Sequence, residues 1–175
     1  MKLVILPGNS KSNRVWSEKT ADAFSELFPD QYIQAYSHWD EGKEIIDFDI
    51  EARKLEENAK EGEFSIIAKS AGAMLVIYAV SKGLIKPAKC VFLGLPLLWA
   101  KEYNLNLKDW FQKFNIQTMV IQNSNDPVSS YSELKKFVDD NDLLHTLTLI
   151  ETEGVDHKYD NPEKIKKLIN NFLLG

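Results

Sequence analysis

Short apolar runs alternate with stretches of helical period along this chain, and that alternation constrains its fold more than any other feature. Leu3-Val4-Ile5-Leu6, Tyr32-Ile33-Gln34-Ala35-Tyr36, Phe64-Ser65-Ile66-Ile67-Ala68, Cys90-Val91-Phe92-Leu93, Thr118-Met119-Val120-Ile121 and Leu147-Thr148-Leu149-Ile150 are the strand-like runs. Between the first two, Trp16, Thr20, Ala23, Phe24, Leu27 and Phe28 recur at helical spacing until Phe28-Pro29-Asp30 stops them. A helix from about Phe48 to Lys60 precedes the third strand, and another from Ala71 to Lys82 follows it, with Met74, Val76, Ile77 and Val80 for burial. Strands separated by helices run parallel and are joined by right-handed crossovers. The expected fold class is therefore α/β, a three-layer α/β/α sandwich with about six parallel strands.

Two later helices carry start signals. Ser130-Tyr131-Ser132-Glu133 has the spacing of a capping box, and Leu134, Phe137 and Val138 continue an apolar face. Asn161 can cap the last helix and Pro162 suits its first position; Ile165, Leu168, Ile169, Phe172 and Leu173 form one stripe. No repeat, linker or low-complexity tract interrupts the chain. Its 175 residues, 44% hydrophobic and 27% charged, fit one domain over 1–175.

The third strand runs into Ala68-Lys69-Ser70-Ala71-Gly72 and then into an apolar helix. A sharp strand-to-helix turn between small residues lifts the central side chain above the carboxyl edge of the sheet. Asp126, in Asn123-Ser124-Asn125-Asp126-Pro127, follows the fifth strand. His157, in Gly154-Val155-Asp156-His157, follows the sixth. Ser70, Asp126 and His157 thus come in the chain order of a Ser-Asp-His triad, each just past a predicted strand. Asp156 beside His157 is a rival carboxylate, with Asp160 close by, and His38 in Tyr36-Ser37-His38-Trp39 is a rival base. His145 opens a strand at the opposite end of the sheet and reads as structural.

On these residues the chain resembles a small, nearly lidless serine hydrolase of the α/β-hydrolase superfamily, over almost its whole length. It departs from the usual Gly-x-Ser-x-Gly at Ala68, which is still small enough for the turn, and at Lys69, where many members carry another residue. The resemblance implies an acyl-enzyme on Ser70, with His157 as base and Asp126 orienting it. It also implies an oxyanion hole made by the backbone N–H of Ala71 and, from the Pro7-Gly8-Asn9 loop, that of Asn9.

Substrate class is less legible. The segment 96–112 leaves the carboxyl end of the fourth strand as a short cover, and its Leu98, Trp99 and Tyr103 are read as walls of an apolar acyl pocket. Lys69 is read as directed into the helix side, away from substrate. The expected activity is that of a carboxylesterase or thioesterase acting on a small-molecule acyl substrate; peptide or amide hydrolysis and a silent interaction scaffold stay open as alternatives.

A net charge of -5, with lysines scattered among acids, argues against nucleic acid or anionic membrane as a partner. Met1-Lys2 leads directly into the first strand, and no apolar run approaches the roughly 18 residues of a membrane span, so a cytoplasmic protein is expected. Cys90 is the only cysteine and reads as core, without a disulfide or thiolate cluster. Asp40, Glu41, Glu44, Asp47 and Asp49 carry neither histidine spacing nor a Gly-centred calcium loop, so no metal and no cofactor is expected; they read as a solvated segment. The sequence does not indicate an oligomeric state.

Overall fold

The computed structural model describes residues 1–59 and 62–175. In chain order the elements are β1 (Lys2–Leu6), α1 (Asn13–Phe24), β2 (Gln31–Ile33), α2 (His38–Glu41), α3 (Phe48–Asn58), β3 (Phe64–Lys69) and α4 (Ala71–Ser81). There follow β4 (Cys90–Leu93), α5 (Leu97–Glu102), α6 (Leu107–Gln112), β5 (Thr118–Asn123), α7 (Tyr131–Asp140), β6 (Leu147–Thr152) and α8 (Pro162–Leu174). The six strands form one parallel sheet in the order β2-β1-β3-β4-β5-β6.

Parallel strands covered on both faces read as continuous apolar runs, and Leu3 to Leu6 of β1 have no exposed surface at all. Alternation along each strand divides the core. Val4, Leu6, Ile66, Ala68, Cys90, Phe92 and Val120 pack toward α3, α4, α6 and α7. Leu3, Ile5, Ile67, Val91, Leu93 and Ile121 pack toward α1 and α8. By the same period of two, Lys69 of β3 falls on the α1 side. Helix α4 is apolar nearly all round because it is buried nearly all round.

Capping signals in the sequence act as written. Ser130 Oγ accepts from Glu133 N–H while the Glu133 carboxylate accepts from Ser130 N–H. Asn161 Oδ1 accepts from Lys164 N–H, with Pro162 in the first turn of α8.

Three boundaries differ from expectation. Strand β2 stops at Ile33 instead of Tyr36, because it is an edge strand held only by β1. After Gln34 N–H bonds the Ile5 carbonyl, the chain peels away and the Tyr36 hydroxyl donates instead to the Pro7 carbonyl at 2.7 Å. Helix α1 ends at Phe24 in a tighter turn that still carries Phe28 into the core. Helix α3 ends at Asn58, and Lys60 lies outside the described residues. Among the described residues no helix is long and apolar enough to cross a membrane.

The sheet order reverses direction between β1 and β3, so the loops after these strands diverge and leave a crevice at their carboxyl ends. The first turn of α4 closes against β1 there. A Cβ on Gly72 would stand 2.6 Å from the Pro7 carbonyl oxygen and 2.8 Å from that of Leu6, and backbone cannot yield cheaply. Gly72→Ala is expected to cost about 1–3 kcal/mol, as overpacked positions do. A lower urea midpoint with an unchanged slope would register it; an unchanged midpoint would mean that α4 has room to move off β1.

Candidate active site

Ser70 links β3 to α4 with φ 53° and ψ -121°, a backbone region that non-glycine residues rarely occupy. The strain is held in place from both sides. Ser70 N–H donates to the Leu93 carbonyl of β4, and the Ser70 carbonyl accepts from Ala73 N–H as α4 begins.

Three loops converge on this serine. His157 Nε2 lies 2.8 Å from Ser70 Oγ, and its Nδ1 lies 2.7 Å from Asp126 Oδ2. An ionised carboxylate only accepts, so Nδ1 carries the proton toward Asp126 and Nε2 of the neutral ring presents its lone pair to the serine hydroxyl. The Asp126 side chain has no exposed surface. Its Oδ2 also accepts from the Tyr159 hydroxyl at 2.6 Å, and its Oδ1 accepts from Val128 N–H at 2.9 Å. Burial alone would raise its pKa; the hydrogen bonds from His157, Tyr159 and Val128 outweigh burial and hold the carboxyl below the ordinary value of 3.8.

Tyr159 gives no chemical signal in the sequence, yet it organises the centre. Its hydroxyl donates to Asp126 and accepts from Asn123 N–H at 3.0 Å, while its carbonyl accepts from Trp16 Nε1 at 2.8 Å. Burial first, and then the hydrogen bond to Asp126, push the phenol far above its ordinary range, so it stays a donor. Asn123 fastens the histidine loop: its Nδ2 donates to the Asp156 carbonyl and its Oδ1 accepts from the Thr152 hydroxyl. Gln122 likewise ties two loops, accepting from Leu95 N–H and donating to the Ser129 carbonyl. At Gly94, φ 65°, a Cβ would stand 2.4 Å from the Tyr159 ring and 2.8 Å from the His157 ring. Clearance for both rings therefore depends on glycine there.

The Pro7-Gly8-Asn9 loop lies beside the serine turn through the approach of Gly72 to Pro7. Asn9 is clamped at every polar side-chain atom: Nδ2 donates to the Glu44 carbonyl and Oδ1 accepts from Ile46 N–H. The Asn9 carbonyl accepts from His38 Nε2 at 2.9 Å and Trp39 Nε1 at 2.7 Å. His38 is thereby engaged in holding this loop rather than facing Ser70. Among the described residues the backbone N–H groups of Asn9 and Ala71 have no protein acceptor.

The other rival residues lie elsewhere. The Asp156 carboxylate accepts from Lys158 N–H at 2.9 Å, and His145 Nδ1 bonds the Asp142 carbonyl. Of the acidic segment, Asp47 caps α3, Asp49 accepts from the Tyr78 hydroxyl, and Asp40 pairs with Lys11 at 2.8 Å.

A cavity of about 420 Å³ opens at Ser70, lined by Asn13, Lys69, Pro127, Val155, Asp156, His157 and Lys158. Leu98, Trp99 and Tyr103 do not line it. Trp99 packs on Phe48 and Tyr103 at ring separations of 6.4 and 5.1 Å, and Leu98 is half exposed. Lys69 does lie on the α1 side as expected, yet it reaches this cavity instead of staying clear of it.

No protein-family model and no curated protein sequence matches the chain. Solved structures do match. An esterase from Pyrococcus furiosus superposes with TM-score 0.74 at 15% identity, over 99% of this chain and 80% of that one. Est1E from Butyrivibrio proteoclasticus, solved with ferulic acid bound, gives 0.72 at 12% identity, over 99% and 87%. An uncharacterized protein from Bacillus cereus gives 0.71 at 17% identity over 99% of this chain, which spans only 60% of that protein's length. The fold is that of the α/β-hydrolases.

Tyr159→Phe is expected to lower stability by about 1.5–3 kcal/mol at neutral pH, since it removes a hydrogen bond to a buried charge. Asp126 titrates lower in the folded chain than unfolded, so the stability it contributes is present above pH 3.8 and is lost as pH falls through its lower folded value. The Tyr159→Phe penalty should therefore shrink in acid toward the part owed to Asn123 N–H. Urea titrations of both proteins at several pH values would measure it, and a penalty independent of pH would remove Tyr159 from the control of Asp126.

Proposed function

We propose that this protein is a serine hydrolase that cleaves a small-molecule acyl ester or thioester through an acyl-Ser70 intermediate. The observation that carries the reading is the continuous hydrogen-bonded line from Ser70 Oγ through the two nitrogens of His157 to the buried Asp126 carboxylate. A serine hydroxyl is a weak nucleophile until a base in reach takes its proton. His157 Nε2 accepts that proton as Oγ bonds the acyl carbon, and Asp126 stabilises the imidazolium without itself taking the proton.

As the tetrahedral carbon collapses, the bond to the leaving oxygen or sulfur breaks and His157 returns the proton to it. Water then repeats the sequence on the acyl-serine, releasing the acid and restoring Ser70. Negative charge develops on the carbonyl oxygen in both halves, where fixed donors act most strongly. The Ala71 and Asn9 N–H groups are suited to that role because neither is spent on a protein acceptor. Clamping Asn9 by Glu44, Ile46, His38 and Trp39 supports the same reading, since a donor held in place before reaction needs no reorganisation during it. No step calls for a cofactor.

Incubation with a fluorophosphonate probe is expected to add one adduct to the intact mass, absent in Ser70→Ala and strongly slowed in His157→Ala. Turnover of p-nitrophenyl acetate should fall at least about a thousandfold in either variant. Folded wild-type protein that takes no adduct would instead fit a silent interaction scaffold.

A further inference from the structure

Lys69 is 6% exposed. Lysine is almost never buried this deeply without a counter-charge, because desolvating an ammonium is costly. Among the described residues no carboxylate forms an ion pair with it. Its one hydrogen bond goes to Asn13 Oδ1 at 2.8 Å, and its ammonium lies 5.6 Å from the centre of the Trp16 ring. An ammonium has three N–H donors, so two are left without a protein acceptor here. Lys69 lines the same cavity as Ser70 and His157, and also a neighbouring depression that it shares with Trp16 and Asp160.

We propose that Lys69, assisted by Lys158 in the same cavity wall, binds an anionic group carried on the leaving portion of the substrate, so that this enzyme favours acyl esters of carboxylate-bearing alcohols or phenols. The inference rests on the serine-hydrolase reading. Its direction comes from the cavity's lining: His157, which protonates the departing oxygen, faces this cavity, whereas Asn9 lines a separate depression with Ser10, His38 and Trp39. The leaving group therefore departs on the side of Lys69, and the carbonyl oxygen lies toward Asn9.

Carboxylates surround Lys69 without pairing directly with it. Burial lowers its pKa to about 8, and the more distant Asp160, Asp156 and Asp126 oppose that fall without cancelling it. At neutral pH the ammonium is still mainly protonated, and a carboxylate at hydrogen-bond distance would supply the missing partner. Asn13 holds the chain in the cavity rather than neutralising it. Asp156, which lines the same cavity, has its carboxylate engaged by Lys158 N–H.

The test compares 3- and 4-acetoxybenzoate with the corresponding acetoxybenzamides, which have the same shape without the charge. The ratio of kcat/KM for acid over amide is expected to fall about tenfold in Lys69→Met, less in Lys158→Ala, and to be largely kept in Lys69→Arg. A ratio unchanged in Lys69→Met would overturn the proposal. Should Lys69→Met not fold, the wild-type protein still decides: benzoate should slow fluorophosphonate labelling of Ser70 more than benzamide does, and equal effects would overturn it. Wild-type protein that is not labelled at all removes the hydrolase reading and this one together, whereas normal labelling without anion preference removes this one alone.

Discussion

A carboxylate with no exposed surface must have its charge answered by donors, and Asp126 draws those donors from different parts of the chain. Val128 supplies one from its own loop, and His157 and Tyr159 supply two from the loop after β6. Because a buried charge left short of partners costs several kcal/mol, the two loops cannot separate without losing more than they gain. Asn123 and Gln122, at the end of β5, extend this hold to Asp156, Leu95 and Ser129. The carboxyl edge of the sheet is therefore a polar network of fixed loops on an apolar base.

The opposite wall is built by close backbone approach. Gly72 admits the Pro7 carbonyl, Tyr36 bonds that same carbonyl, and Asn9 is gripped from the loop that follows β2. Both devices serve one end. Ser70 sits in a strained turn between a wall of carboxylate-anchored loops and a wall of clamped backbone, so its surroundings are arranged before any ligand arrives. For the proposed hydrolysis such an arrangement is favourable, since donors that must move during reaction lose much of their advantage.

Much of this was legible beforehand because the signals are local. Six strands, their parallel sense, the helix caps at Ser130 and Asn161, and the order Ser70, Asp126, His157 follow from periodicity and from what each loop follows. The meeting of His157 with Asp126 rather than with Asp156 also has a local reason: neighbouring side chains on one loop point apart. Tyr159 was not legible, because a tyrosine two residues from a histidine looks the same whether its hydroxyl meets water or a buried carboxylate. Leu98, Trp99 and Tyr103, which lie outside the lining of the Ser70 cavity, carry a signal that is ambiguous for the converse reason. An apolar face on a short helix reads alike whether it is turned to a ligand or, as with Trp99, to Phe48.

The sequence by itself determined which elements form and which loops gather at the carboxyl edge, because burial on one face of a helix or both faces of a strand is written in residue spacing. Only the tertiary structure decided who touches whom at that edge. The reversal between β1 and β3 sets the Asn9 loop beside Ser70, Gly94 clears space for two rings that lie far along the chain, and α1 desolvates Lys69 through Trp16 and Asn13. Those contacts join residues dozens of positions apart, and their energies depend on distances and dielectric surroundings that exist only once the layers have closed.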